Sequence, residues 1–316
     1  MNILIVGYFS DRSKERVVQA FPESWSIRIV EPERVEAFIG EADVLIPEHI
    51  EVNDELLEKA GNLKLVQTGA GYDNVDIEAC TSKNIWVSNA AGVNANAVAE
   101  HIMAFILGYY KNIPFLDHFM KNRGDETSLE YVGGELAGKT LGTIGFGAIG
   151  SRVAELASAF KMKVLAYDTN KTIQSETAEL VDLDTLIINS DVITTNIFLN
   201  ESTRNLVDRT FLSKMKRNAL LVNTARGPIV CEEDLIEALG NNVIGGACLD
   251  VFTVEPLSLN SELRALKNVI LTPHTAGMPD GMKFHETRCR YFVENIEKIR
   301  NNEAPRNHLN QIIVKD

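Results

Sequence analysis

Short apolar runs rich in β-branched residues alternate with helical patterns along most of this chain, and that rhythm admits few folds. Ile3–Phe9, Ser26–Val30, Ala42–Pro47, Leu63–Gly69 and Ile85–Ala90 read as strands. Between them, Asp54–Ala60 closes on Gly61, and Asp76–Cys80 opens on an Asp suited to cap a helix. A second series follows at Leu141–Ile144, Lys163–Tyr167, Asp191–Asn196, Ala219–Thr224, Val243–Val251 and Val269–Thr272. Strands joined through helices must run parallel, because a parallel pair needs a crossover long enough to hold a helix. At 316 residues the chain also has room for two cores, since single cores stop growing beyond roughly 250 residues. The expected fold is α/β, with two doubly wound parallel-sheet domains.

Composition narrows the partners. Lys and Arg number 31 against 44 Asp and Glu, a formal charge of −13 that repels a phosphate backbone or an anionic leaflet. Neither nucleic acid nor membrane is expected. A small anionic substrate stays open, because one Arg in a dry site overrides a distant net charge. Cys80, Cys231, Cys248 and Cys289 lie far apart without metal-ligand spacing, so reduced cytoplasmic thiols are expected and no metal. Met1-Asn2 runs straight into a strand, without the basic start of an export signal. Ala95–Tyr110, the longest apolar helical stretch, is broken by Glu100-His101 and falls short of the roughly 20 residues that span a bilayer.

The chemistry concentrates in the second series. Gly145-Phe-Gly-Ala-Ile-Gly150 follows a strand and opens the helical pattern Ser151–Phe160. Gly145 permits the tight turn, Gly147 lets the backbone approach a pyrophosphate, and Gly150 allows the helix to pack on its strand; the helix end offers free N–H groups to the anion. Asp168 ends the next strand, 18 residues after Gly150, where a carboxylate accepts the ribose hydroxyls and repels a 2′-phosphate. Together these favour a Rossmann unit for NAD, although the nearby cation Lys171 would favour a 2′-phosphate. Arg226, Glu255 and His274 each fall just past a strand of the same series, the edge where α/β sheets bind ligands. An Arg fork suits a carboxylate, a His can protonate a carbonyl oxygen, and a Glu can hold that ring as imidazolium. Taken singly, each has a plainer reading as a surface charge, a loop acid and a satisfied loop histidine.

On these motifs the chain resembles the D-isomer-specific 2-hydroxyacid dehydrogenase family over essentially its whole length. The resemblance rests on Thr68-Gly-Ala-Gly-Tyr-Asp-Asn-Val-Asp76, Val98-Ala-Glu-His101, the stretch from Gly138 to Gly150, Thr224-Ala-Arg-Gly227, Leu249-Asp-Val-Phe252 with Glu255-Pro256, and Pro273-His274. It implies catalysis by Arg226, Glu255 and His274, with the backbone of Gly69, Ala70 and Gly71 holding the substrate carboxylate. NAD contacts are implied at Ala148, Ile149, Asp168, Ile197, Thr224, Ala225 and Asp250, besides the glycines, Arg226 and His274. The implied reaction passes a hydride between NADH and a small 2-oxo acid, giving a D-2-hydroxy acid. The family also implies that the first, flavodoxin-like domain, 1–101, binds substrate and is completed by 285–316. The NAD domain is then 102–284, with the cleft between the two.

Further expectations concern assembly and substrate. Ile102, Phe105, Ile106 and Tyr109 make an apolar face larger than one sheet plausibly covers, so a homodimer is expected, with Lys111–Gly138 as connector and arm. Asn196-Ile-Phe198-Leu199 replaces the family's usual His-x-Pro-Leu and should reshape the cofactor wall. Phosphoglycerate-type members place an Arg after the third strand, where Glu48 falls here by register. A carboxylate there would repel a dianionic substrate. Two rivals are an NAD-sensing, corepressor-like scaffold and a same-fold dehydrogenase of phosphite or formate.

Overall fold

The computed structural model describes residues 1–122, 129–131 and 133–312, and divides them into two compact units, 1–94 with 278–312, and 95–277. In the first unit β1 (Asn2–Val6), α1 (Asp11–Ala20), β2 (Ser26–Val30), β3 (Val44–Pro47), α2 (Asp54–Glu58), β4 (Leu65–Thr68), α3 (Ile77–Ser82) and β5 (Trp86–Asn89) follow in order. The strands form one parallel sheet in the order β2-β1-β3-β4-β5, the flavodoxin-like arrangement. Their buried runs explain why both faces need cover: every residue of β3, β4 and β5 is buried. The helix Glu286–Arg300 supplies part of that cover, placing Phe292 and Ile296 in a core with Ile3, Ile5, Leu65 and Trp86. Short polar caps start the helices, with Asn53 and Asp76 accepting from Leu56 N and Ala79 N.

The second unit opens with α4 (Ala95–Tyr110) and α5 (Ile113–Asn122). It continues through β6 (Thr140–Ile144), α6 (Ala148–Ala159), β7 (Lys163–Tyr167), β8 (Glu179–Leu180), α7 (Leu183–Asn189), β9 (Val192–Thr195) and α8 (Arg209–Lys214), then β10 (Leu220–Asn223), α9 (Glu232–Gly240), β11 (Gly246–Leu249) and β12 (Val269–Leu271). The C-terminal helix of the first unit is α10. The seven parallel strands run β12-β11-β10-β9-β6-β7-β8, which is the doubly wound dinucleotide order with the switch point between β6 and β9. The two-residue β8 was not expected, because Glu179-Leu180 is too short to show an alternation.

Three expectations are corrected. The units divide seven residues earlier at both crossings than 101/102 and 284/285, because α4 belongs to the second unit from its first turn. The face of α4 bearing Ile102, Phe105 and Ile106 is buried inside that unit, against Val153, Ala154 and Ala157 of α6. Small alanines let the helices approach closely, so this face is covered without a second copy. The segment Lys111–Gly138 holds a ten-residue helix, α5, with Pro114 in its first turn, a position where the missing N–H costs nothing. Residues 123–128 and 132 of that segment, like the last four of the chain, lie outside the described residues.

Candidate active site

The glycine turn after β6 has the shape its spacing predicts. Gly145 sits at φ +92°, and a Cβ there would lie 2.4 Å from Asn196 O, while one at Gly150 would lie 2.1 Å from Gly145 O. Only glycine fits either position. Around Gly147 the space is open, and it caps α6 without any side-chain bond to the first-turn amides. Those N–H groups, with Ala148 and Ile149 at the helix start, are available to an anion. Asp168 directly follows β7 and accepts from Phe146 N and Asn170 N, both at 2.8 Å. A cavity of about 510 Å³ opens beside it, lined by Asp168, Asn170, Lys171, Ile173 and Val181 among others. Lys171 Nζ is tied to Asp168 O at 3.0 Å and lies 4.9 Å over the Tyr167 ring.

Across the switch point the wall carries unspent hydrogen-bonding capacity. Asn196 Nδ2 donates to Thr143 Oγ1 at 3.0 Å, yet its Oδ1 and the Thr224 Oγ1 are buried without a partner among the described residues. Such orphans need an explanation, and a nicotinamide dinucleotide laid from the α6 end across this edge supplies one. The residues present therefore fit NAD: Gly145, Gly147, Ala148, Ile149 and Gly150 for the pyrophosphate, Asp168 for the ribose, and Asn196, Ile197, Thr224 and Ala225 along the wall. Phe198 is exposed.

Arg226, Glu255 and His274 come together at the carboxyl edge of β10, β11 and β12. His274 Nδ1 lies 2.7 Å from Glu255 Oε2, and Glu255 Oε1 accepts from Phe252 N at 3.0 Å. Burial alone pushes the Glu255 carboxyl up, but the bond and charge of His274 hold it below its ordinary range, with help from the nearby Arg226 charge. Arg226 is aimed by its backbone: Asn223 Nδ2 donates to Arg226 O at 2.9 Å, and Asn223 Oδ1 accepts from Ala225 N and Thr195 Oγ1. A Cβ at Gly227 would lie 1.9 Å from the Phe252 carbonyl carbon. This glycine lets the Arg226 loop cross the loop bearing Glu255.

His274 has a left-handed backbone, φ +55°, unusual for a residue with a side chain. The residue that imposes it is Asp250, which is fully buried. Its Oδ1 accepts from Thr275 N at 2.8 Å and Thr272 Oγ1 at 2.5 Å, its Oδ2 from Ala276 N at 2.8 Å, and its carbonyl from His274 N at 2.8 Å. Asp250, expected as an NAD contact, thus spends both oxygens on the loop that carries His274. His101 Nε2 lies 3.1 Å from Thr272 Oγ1; burial pushes its pKa down, against the opposing pull of Asp250. Sequence reasoning missed Asp250 and Thr272 as loop clamps, since a buried Asp at a strand end carries no local signal. Among the described residues no cluster of His, Cys, Asp and Glu could hold a metal ion.

In the first unit, Gly69, Ala70 and Gly71 follow β4, with Asn89 Nδ2 donating to Ala70 O at 2.9 Å. Glu48 follows β3, and here the structure corrects the expectation of a repelling carboxylate. Its side chain is 5% exposed and pairs with Arg288 of α10, and Lys283 Nζ lies 3.3 Å from its other oxygen. Burial would raise this carboxyl, but the Arg288 and Lys283 charges hold it below its ordinary range. Glu48 therefore does not stand as a lone carboxylate.

Comparison with known proteins agrees with this geometry. Residues 103–276 match the family model "D-isomer specific 2-hydroxyacid dehydrogenase, NAD binding domain". Hydroxypyruvate reductase from Thermotoga maritima is 39% identical over 274 residues, 85% of this chain and 88% of that protein. D-lactate dehydrogenase from Aquifex aeolicus, complexed with NAD and lactic acid, superposes with a TM-score of 0.86 at 28% identity, covering 98% of this chain and 99% of that one. NAD-dependent formate dehydrogenase from Staphylococcus aureus, also with NAD, gives 0.86 at 28% identity over 99% and 100%.

Proposed function

Because this chain belongs to the D-isomer specific 2-hydroxyacid dehydrogenase family and is an NAD-dependent oxidoreductase of that type, we propose that it reduces a small 2-oxo acid to the D-2-hydroxy acid. The observation that carries this reading is the 2.7 Å contact of His274 Nδ1 with Glu255 Oε2, on the same sheet edge as Arg226. Bound NADH supplies a hydride to the substrate's carbonyl carbon. Glu255 occupies His274 Nδ1 and holds the ring, which leaves Nε2 to hand a proton to the carbonyl oxygen as that oxygen gains charge. Arg226 pairs with the substrate carboxylate and steadies the developing alkoxide. The strained His274 backbone fixes the ring before substrate arrives, so no reorganisation is needed during proton transfer.

The relative named hydroxypyruvate reductase supports a substrate of that size. A homodimer is also proposed. Its support lies in exposed apolar residues at and after α5, Ile113, Phe115, Met120 and Tyr131, because exposed apolar clusters mark contacts. The four free thiols support a reducing, cytoplasmic setting. NADH oxidation against glyoxylate, pyruvate, hydroxypyruvate and branched 2-oxo acids tests the reading, with chiral analysis of the product. Reduction of none of them, or NAD reduction by formate or phosphite instead, overturns it; NADH binding without turnover of any substrate supports the scaffold.

A further inference from the structure

Asn196, which replaces the His of the family's usual His-x-Pro-Leu, directly follows β9 and grips the glycine turn from the neighbouring strand. Its backbone N–H donates to Ile144 O at 2.7 Å, and a Cβ on Gly145 would lie 2.4 Å from its carbonyl oxygen. The side chain reaches the same turn. Asn196 Nδ2 donates to Thr143 Oγ1 at 3.0 Å, and that fully buried hydroxyl donates in turn to Gly145 O at 3.0 Å. This order fixes the orientation of the amide. Thr143 has one hydroxyl proton and spends it on Gly145, so the end of Asn196 that faces it must be the NH2, and the other end is the acceptor. Asn196 Oδ1 is thus a buried acceptor without a partner among the described residues.

Chemistry and position restrict what can meet that oxygen. A buried carbonyl left bare is costly, and only an N–H or O–H group relieves it. The pyrophosphate that the turn receives carries no such donor. In a doubly wound fold the dinucleotide crosses the switch point, here between β6 and β9, with one half on the β7 side, where Asp168 lies, and the other over β9 and β10. On that second side the group next to the pyrophosphate is a ribose, and Asn196 is the side chain next to the turn. Thr224, whose hydroxyl is another buried orphan, comes one strand later, after β10. We propose that Asn196 Oδ1 accepts a hydroxyl of the nicotinamide-side ribose, so that one amide couples the glycine turn to the redox half of the cofactor. The inference rests on the NAD dependence stated above and is independent of the substrate.

Calorimetric titration with ADP, ADP-ribose and NADH tests it, because all three share the adenosine diphosphate and only the last two carry the second ribose. In Asn196→Leu, ADP-ribose and NADH should each lose about tenfold more affinity than ADP does, the scale of one buried hydrogen bond. An equal loss for all three means that Asn196 serves the turn alone. A loss confined to NADH puts the partner on the nicotinamide, and no loss leaves Oδ1 to a water. Each of these three outcomes overturns the assignment. Should Asn196→Leu fail to fold, Asn196→Ala, which brings no bulk, is read by the same titrations. If the wild-type protein binds ADP but neither ADP-ribose nor NADH, the cofactor reading fails and the inference with it.

Discussion

In the proposed reaction a single residue, His274, carries the proton. His274→Asn keeps a polar side chain but loses the group able to act as a general acid, so kcat should fall by several orders of magnitude while NADH still binds with near wild-type affinity; stopped-flow turnover and a fluorescence titration check this. His101 is the comparison. Its bond to Thr272 Oγ1 steadies the His274 loop from outside the reacting groups, so His101→Asn should cost about 1 kcal/mol of stability and much less of kcat. Near wild-type turnover in His274→Asn contradicts the assignment. Asp168 decides the cofactor: its carboxylate beside the cavity after β7 should make kcat/KM at least about tenfold higher with NADH than with NADPH, and Asp168→Ser should narrow that gap. Lys171, held to the Asp168 carbonyl, is the cation that remains to receive a 2′-phosphate in that variant.

Between elements, the tie that matters most runs from the end of β3 to α10. Glu48 and Arg288 are both buried, and removing one partner of such a pair leaves the other uncompensated at a cost of about 3 kcal/mol. Arg288→Met should lower the denaturant midpoint accordingly, whereas the exposed pair of Arg300 and Glu297 should be nearly silent when broken. The sign of the pH dependence follows from the depressed Glu48 carboxyl. Its folded pKa lies below the unfolded value of about 4.3, so the stabilisation is complete above that value and disappears as pH falls through the folded pKa. Melting temperatures of wild type and Glu48→Gln should differ most near neutrality and converge in acid. A gap that is constant down to low pH contradicts the pairing.

At the scale of the whole molecule the question is assembly. The face of α4 first expected to drive dimerisation is spent on α6, and among the exposed apolar residues those that follow it in the chain are Ile113, Phe115 and Met120 on α5, with Tyr131 after it. Light scattering at micromolar concentration should give twice the 35.0 kDa chain mass. Phe115→Lys and Met120→Lys together should shift it toward the monomer. A monomeric wild type contradicts the dimer outright.

Local pattern was enough for the two sheets, because β-branched runs and helical spacing are short-range properties that survive without knowledge of the rest of the chain. It was also enough for the glycine turn, since the geometry at Gly145 and Gly150 excludes any Cβ, and for the order of Arg226, Glu255 and His274 along three strand ends. Whether those three meet depends on strands 26 and 22 residues apart in the chain lying side by side, β10 beside β11 and β11 beside β12, and no local signal carries that. The same holds for Asp250, legible only as a strand-end acid until burial turned both its oxygens onto the His274 loop. It holds most for Glu48, whose charge was judged alone. Arg288 lies 240 residues away in sequence, and only the packing of α10 on the first sheet brings its charge to that carboxylate and neutralises it.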